Sequence, residues 1–247
     1  MTRAIRSHLV ALLLASLAAL AGLPAMADDG VDSGHTITIP GPKNPVLLPY
    51  RYMLAGLEAF DDNHELAPTA KVVRFRLRGN AGDDAMDGLT LAIVGGTTTI
   101  PVQLAADGSF VLPRSEAAAD EDADLMLNKS KRGYSWVADV RSEGVPDGMR
   151  RLGDLRLECA VTTAIGKKVL TLKMRLQITA LTLTSDWCTH KNFKYSGRSE
   201  ETISGATLVW RDQRLALKVR SNGKSYAVPT GNKAFPDDAL VEFNTQN

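Results

Sequence analysis

The sequence predicts an all-β protein built as an antiparallel β-sandwich. From residue 71 onward, most of the chain alternates apolar and polar residues with a period of two, and turns rich in Gly, Asn and Asp separate the alternating segments. Short strands at this spacing are typical of sandwiches. The composition, 44% hydrophobic and 23% charged, excludes collagen, coiled coils, disordered tails and multi-span membrane proteins.

The first 27 residues have the three parts of a secretory signal peptide. Arg3 and Arg6 form a positive segment, residues 9–23 are mainly apolar, and small residues end at Ala27. An alternative is a retained membrane anchor, but an apolar stretch of about 15 residues is short for a bilayer span. We therefore expect cleavage near Ala27 and a soluble periplasmic or secreted protein, with no membrane insertion after the signal is removed.

The charge balance excludes two general classes of partner. Loss of residues 1–27 removes Arg3 and Arg6 and no acidic residue, which leaves 27 of the 29 basic residues against 28 acidic ones. Binding to nucleic acid or to an anionic membrane in general requires a basic surplus. The mature chain has none, so we expect no nucleic-acid partner.

Residues 28–69 predict an extended arm followed by one short helix. Prolines 40, 42, 45 and 49 fall within ten residues and favour an extended backbone. Apolar residues at helical spacing then mark the only convincing helical face in the mature chain. They are Met53, Leu54, Leu57 and Phe60.

The strands fall into two predicted halves, 70–145 and 146–247. Residues 73–78 alternate three apolar residues with three arginines, and residues 170–178 form the clearest strand pattern of the chain. The apolar phase changes after Ala180, which predicts a bulge or a strand that crosses between two sheets. A further strand predicted at 155–161 would point Cys159 into a core.

An internal similarity supports two tandem halves. A shift of 116 residues aligns 113–128 with 229–244 without a gap, and a shift of 115 aligns the Asp107-Gly108 turn with Asn222-Gly223. Two unrelated hairpins with similar turns are the alternative. The hairpin-loop-strand unit resembles the immunoglobulin-like and prealbumin-like modules of exported proteins over about a quarter of the chain. This resemblance implies a fold and brings no functional residues with it.

Cys159 and Cys188 are predicted to form a disulfide. Two cysteines in an exported chain favour such a pair, and closing a loop of about 30 residues stabilises by roughly 3–4 kcal/mol on the chain-entropy model. The alternative is a zinc site with His190, which lacks a fourth ligand and has an unfavourable spacing. We predict no metal, cofactor or catalytic site.

Arg74, Arg76 and Arg78 share one face of a predicted strand. They form either a charged edge that prevents aggregation or a patch for an anionic partner, joined by Lys173 and Arg175 from a neighbouring strand.

Other polar clusters carry weaker signals. The acidic residues at 83–87 could bind calcium but lack the EF-hand pattern, so a solvated loop is the simpler interpretation. Ser221 and Lys224 have the Ser-x-x-Lys spacing of some acyl enzymes, yet Asn222-Gly223 predicts a hairpin turn there. The three histidines of the mature chain lack a metal-binding helical spacing.

These observations predict a non-catalytic module that binds another periplasmic protein or an envelope component. Exposed edge strands or a groove between the halves could receive the partner. The alternatives are an enzyme that acts on cell-wall or glycan substrates through loop carboxylates, and a periplasmic inhibitor or immunity-type protein. A deep cleft with two close acids would favour the enzyme, and an exposed edge strand or apolar patch would favour the binding module.

Overall fold

The computed structural model describes residues 43–79, 86–182 and 184–245. The predicted signal peptide, most of the predicted arm, and Asp83 and Asp84 of the predicted calcium loop lie outside these residues. The described chain contains thirteen strands and four α-helices, and its strands pair antiparallel throughout. The predicted sheet-rich, antiparallel character is therefore confirmed.

Residues 46–127, here termed the first repeat, begin with a short strand that runs directly into a helix. The order of elements is β1 (Val46–Pro49), α1 (Tyr50–Asp62), β2 (Val73–Gly79), β3 (Leu91–Val94), β4 (Thr99–Val102), β5 (Ser109–Phe110), α2 (Glu116–Asp120) and β6 (Asp124–Leu127). Strand β7 (Tyr134–Val140) then leads toward the second repeat.

Residues 150–245, the second repeat, again begin with a short strand followed at once by a helix. The order is β8 (Arg150–Arg151), α3 (Leu152–Val169), α4 (Leu172–Thr182), β9 (Tyr195–Arg198), β10 (Ile203–Trp210), β11 (Gln213–Leu217), β12 (Ser225–Val228) and β13 (Leu240–Thr245). Both repeats lie in one compact unit, Pro40–Asn247.

The two repeats have the same strand order. The four-stranded sheet of the first is β4-β3-β6-β1, and that of the second is β11-β10-β13-β8. A second sheet accompanies each of them: β5 and β2 of the first repeat form the sheet β5-β2-β7 together with β7, and β12-β9 belongs to the second repeat. Strand β1, assigned by sequence to a preceding arm, is thus part of the first sheet.

The strand registers agree with the alignment read from the sequence. Ile93 pairs with Leu125 in the first repeat, and Leu208 pairs with Val241 in the second. The first amide of each helix also donates to an equivalent carbonyl: Tyr50 N to Ala123 O, and Leu152 N to Ala239 O, at 2.9 and 2.8 Å. Ala123 and Ala239 are one of the pairs that the 116-residue shift aligns.

The prediction of a single helix is wrong, because residues 155–161 and 172–178 of the predicted strands are helical. Helix α3 is buried on several sides. Leu157 and Val161 belong to the apolar core that contains α1, whereas Leu155 belongs to the core of the second repeat. Apolar residues at alternate positions therefore face different cores, and their period of two does not indicate a strand.

Helix α4 contradicts the clearest strand pattern for a different reason. Its residues pair with no strand in the part of the chain that the structure describes. Leu, Lys, Met, Arg and Gln, which fill positions 172–177, all have high helix propensity. Without a neighbouring strand to satisfy the backbone, this local preference prevails.

Helix α1 lies where the sequence predicts it and packs against α3. Its buried residues include Met53, Leu57 and Phe60. Gly56 lets the two helices approach closely, because a Cβ atom at this position would lie 2.6 Å from Ile165 Cδ1. Helices of the described residues include none that is both apolar enough and long enough to span a bilayer.

Candidate functional site

A cleft of about 700 Å³ lies beside the α1–α3 contact and is lined by residues from both repeats. Its apolar lining comes from Ala59 of α1, Ala160 and Ala164 of α3, and Phe235 and Pro236 of the loop before β13. The alanines leave space where larger side chains of the same helices would fill it. The result is a concave, partly apolar surface of the size that binds small ligands or side chains.

Arg156 holds one wall of the cleft. Its guanidinium donates to the carbonyl oxygens of Thr230, Asn232 and Phe235 at 2.8–3.0 Å and to the carboxylate of Asp237. These bonds tie the loop before β13 to α3. Because Arg156 uses its donors within the protein, it positions the wall instead of offering a free cation to a ligand.

Cys188 of the predicted cysteine pair also lines the cleft. Cys159 and Cys188 lie at disulfide distance, with their Cα atoms 6.0 Å apart. Thr230 donates through its hydroxyl to the Cys188 carbonyl at 2.7 Å, and the Asp186 carboxylate accepts from the Cys188 amide at 3.1 Å. A short 3-10 turn, Trp187–Thr189, is thereby fastened to α3.

Charged groups of both signs surround the cleft. Glu65 and Lys233 are exposed residues of the lining and come from different segments of the chain. Lys167 donates to the Ser185 carbonyl at 2.6 Å and lies over the Trp187 ring, 5.2 Å from its centroid. The apolar lining can thus bury apolar groups of a ligand, while the charged groups on the rim orient that ligand. No group of three or more His, Cys, Asp and Glu side chains that could hold a metal occurs among the described residues.

Arg76, the central residue of the predicted arginine patch, is neutralised by neighbouring acids. Arg76, with its side chain 13% exposed, forms ion pairs of 3.1 Å with Asp107, Asp139 and Glu200. Burial by itself raises the pKa of the Asp139 carboxyl, but nearby guanidinium groups outweigh burial and hold that pKa below its ordinary value. This arrangement makes Arg76 part of a structural ion-pair network.

The other two arginines of the patch differ from Arg76. Arg74 is exposed, and Arg78 is half-buried. Burial lowers the pKa of Arg78, and the charges of Arg76 and Arg198 lower it further. The prediction that Lys173 and Arg175 join these residues from a neighbouring strand is wrong, because both lie on helix α4.

A buried ion pair that sequence reasoning missed closes the edge of β7. Glu158 accepts from Arg150 at 2.5 Å and from the Val140 amide at 2.9 Å, while Arg150 donates to the Val140 carbonyl at 3.1 Å. Burial by itself lowers the pKa of Arg150, but the Glu158 carboxylate outweighs it and raises that pKa. The signal in the sequence was the i, i+4 spacing of Asp154 and Glu158, which puts both acids on one side of a helix. Asp154 accepts from the Ser142 amide, as Glu158 accepts from the Val140 amide.

The remaining candidate residues lie apart from the cleft. Ser221 is exposed in the turn between β11 and β12, and Lys224 donates to the Glu200 carbonyl at 2.8 Å. Asp87 is the described acid of the predicted calcium loop, and its carbonyl accepts from Lys129. Neither location brings these residues to the cleft.

Comparisons of the chain with protein-family models, with curated proteins and with solved structures find no match. The cleft and its walls are therefore interpreted from their own chemistry.

Proposed function

We propose that the protein is an exported, non-catalytic recognition module and that the cleft holds a segment of another envelope protein. The observation that carries the proposal is the cleft itself. It has a volume of about 700 Å³, a partly apolar lining held by hydrogen bonds and the cysteine pair, and charges of both signs on its rim. An extended peptide supplies matching apolar side chains and polar ends.

Bracing of the walls supports recognition, because a preformed site loses less entropy when it binds. Arg156 fixes the loop before β13 through four hydrogen-bonded groups, and the Cys159–Cys188 pair fastens the Trp187–Thr189 turn to α3. A cysteine pair of this kind also fits the oxidising compartment to which the predicted signal peptide would direct the chain.

The carboxylates of the cleft favour binding over acid–base catalysis. Asp237 is held by Arg156, and Asp186 accepts from the Cys188 amide, so both acids serve the architecture. Glu65 and Asp186 are both exposed acids of the lining, and Asp186 is the one that already holds a backbone amide. A glycan-cleaving enzyme needs two carboxyl groups free to act on one bond.

The proposal extends to the predicted tandem organisation, with halves at 70–145 and 146–247 folded as immunoglobulin-like or prealbumin-like sandwiches. The identical order of the two four-stranded sheets supports it. Separate expression of 43–145 and 146–247 tests the boundary: each half should show a cooperative thermal transition, at a lower midpoint than the whole chain, because 43–145 lacks the α3 residues Leu157 and Val161 of its core. Absence of such a transition in both halves would argue for a single indivisible domain.

Cross-linking at the cleft tests the recognition function. A photo-reactive residue in place of Ala164 should capture a partner in the native envelope, whereas the same residue in place of Ala117 should not. Ala164 lies half-buried in the cleft, and Ala117 is an exposed helical alanine on α2. The captured partner is then purified and its affinity is measured by calorimetry.

Filling the cleft should abolish that affinity. Ala164→Phe is expected to weaken binding by about 30-fold or more, as loss of a buried contact does, while Ala117→Phe leaves it unchanged. Equal binding by both variants would place the partner elsewhere. Turnover of a cell-wall glycan by the wild type, lost in Glu65→Gln, would instead support the enzyme alternative.

A further inference from the structure

Exposed apolar side chains concentrate at the end of α3 and on α4. Six large apolar side chains are strongly exposed among the described residues, and four of them lie within residues 169–176. They are Val169, Leu172, Met174 and Leu176, with 55%, 63%, 46% and 60% of their surface accessible. Single exposed apolar residues are ordinary, but a cluster of this kind marks an interaction surface.

The same segment is basic and free of acids. Residues 159–185 contain Lys167, Lys168, Lys173 and Arg175 and no Asp or Glu. The flanking acids are already engaged, because Glu158 pairs with Arg150 and Asp186 accepts from the Cys188 amide. The near-neutral balance of the whole chain therefore conceals a local positive surface.

Helical geometry combines the two properties. Leu172, Leu176 and Ala180 follow one another at i, i+4 and i+8, so they form one stripe along α4. Lys173 and Arg175 flank this stripe on either side. Met174 is exposed on the opposite side of α4, so apolar side chains lie around much of this helix, and the basic side chains beside them can reach outward to lipid headgroups.

We propose that α4, together with the end of α3, docks the protein on an anionic phospholipid surface as a peripheral contact. Three properties favour lipid over an acidic protein as the occupant. Apolar side chains are exposed on more than one side of α4, the positive charges carry no acidic neighbours in the segment, and a bilayer surface accommodates exposed apolar side chains without a matching groove. This inference is independent of the cleft.

Vesicle co-sedimentation tests the proposal with the protein recovered from its native compartment. Vesicles of phosphatidylglycerol and phosphatidylethanolamine should bind the wild type, and phosphatidylcholine vesicles should bind it about tenfold or more weakly. Binding should fall as salt rises from about 0.05 to 0.5 M, because the screening length shortens.

Two variants of α4 separate its apolar and charged contributions. Leu172→Ser/Leu176→Ser and Lys173→Glu/Arg175→Glu should each weaken binding to the anionic vesicles by about tenfold or more. The control, Val72→Ser/Val111→Ser, changes the two exposed apolar residues outside the segment and should bind like the wild type. Melting temperatures close to that of the wild type establish that all variants are folded, and terminal sequencing establishes that they begin at the same residue.

Two outcomes would overturn the proposal. One is equal binding of the wild type and both α4 variants to anionic vesicles. The other is absence of wild-type vesicle binding combined with self-association or binding of an acidic protein that Leu172→Ser/Leu176→Ser abolishes. That result would assign α4 to a protein partner.

Discussion

The two repeats share one strand order but are stabilised by different chemistry. In the first, Phe75 lies in an apolar core against the rings of Phe110 and Trp136. In the second, a cysteine pair and the buried Arg150–Glu158 ion pair join the apolar residues. A common sheet topology therefore does not determine what holds it together.

The difference centres on the helices that begin the repeats. Helix α1 has 13 residues and one apolar face, whereas α3 has 18 residues and contributes to both cores. The buried ion pair, the cysteine pair and the lining of the cleft all involve residues of α3. A change in α3 is therefore expected to affect both repeats, and a change in the sheets mainly one.

The largest expected effect comes from breaking the buried ion pair. Glu158→Ala leaves a buried guanidinium and the Val140 amide without their acceptor, so unfolding free energy should fall by about 3–5 kcal/mol. Urea denaturation measures the change. The exposed pair Arg214–Glu242 supplies the control, since Glu242→Ala should cost less than about 1 kcal/mol. Similar losses in the two variants would contradict the assigned role of α3.

Removal of the cysteine pair should be the next largest effect. Cys159→Ser/Cys188→Ser releases a loop closed across 29 positions, and the free energy of unfolding should fall by roughly 3–4 kcal/mol. The thermal midpoint of the wild type should also fall under a reductant, whereas that of the double variant should not change. A wild-type midpoint insensitive to reductant after unfolding and refolding would count against the pairing.

The α1–α3 contact can be tested with two glycines. Gly56→Ala places a methyl group 2.6 Å from Ile165 Cδ1, so overpacking should lower the free energy of unfolding by about 1–2 kcal/mol. Gly166→Ala has open space around it and should raise stability by up to about 1 kcal/mol through helix propensity. Urea denaturation should show that the free energy of unfolding falls in Gly56→Ala and rises in Gly166→Ala. A change in the same direction in both variants would contradict the close approach at Gly56.

A pH effect should distinguish the first repeat from the second. Glu121 accepts from the Thr97 hydroxyl and amide and from Thr98, and these bonds lower its pKa from 4.5 to about 2. The aligned residue in the second repeat, Asp237, pairs with Arg156 instead. Because a depressed folded-state pKa stabilises the protein above the unfolded value, this contribution is present above pH 4.5 and is lost as pH falls toward about 2.

Thermal melting of Glu121→Gln between pH 5 and about 2 measures this contribution. The melting temperature of the variant should fall less over this pH range than that of the wild type. Glu116→Gln, which changes an exposed acid on α2, provides the control and should follow the wild-type curve. If the melting temperatures of Glu121→Gln and the wild type fall in parallel with pH, Glu121 is not the source of the pH-dependent stability.

Several features could be predicted from sequence because they depend on local pattern. The strand around Phe75, the turns at Gly108 and Gly223 and helix α1 all follow from short-range periodicity or turn chemistry. The 116-residue alignment was also visible in the sequence, and it pairs Leu125 with Val241, which occupy corresponding positions in two sheets of equal strand order. The candidate cleft could not, because its walls come from segments separated by up to about 180 positions.

The two helices predicted as strands show where local pattern fails. Leu155, Leu157 and Cys159 alternate in sequence, but each is buried against a different neighbour. Residues 172–177 alternate as well, yet no strand edge among the described residues receives them. A period of two specifies a strand only where one face meets a core and the backbone meets a partner.

By itself, the amino-acid sequence determined that this protein is rich in antiparallel sheet, that segments 113–128 and 229–244 resemble each other, and which two cysteines could pair. Such properties depend on residue pattern and composition. Tertiary structure decided that α3 is a helix shared by two cores, that Arg76 is neutralised by distant acids, and that exposed apolar and basic residues meet on α4. These depend on which distant segments come together, and burial and charge pairing have no period that a linear pattern can display.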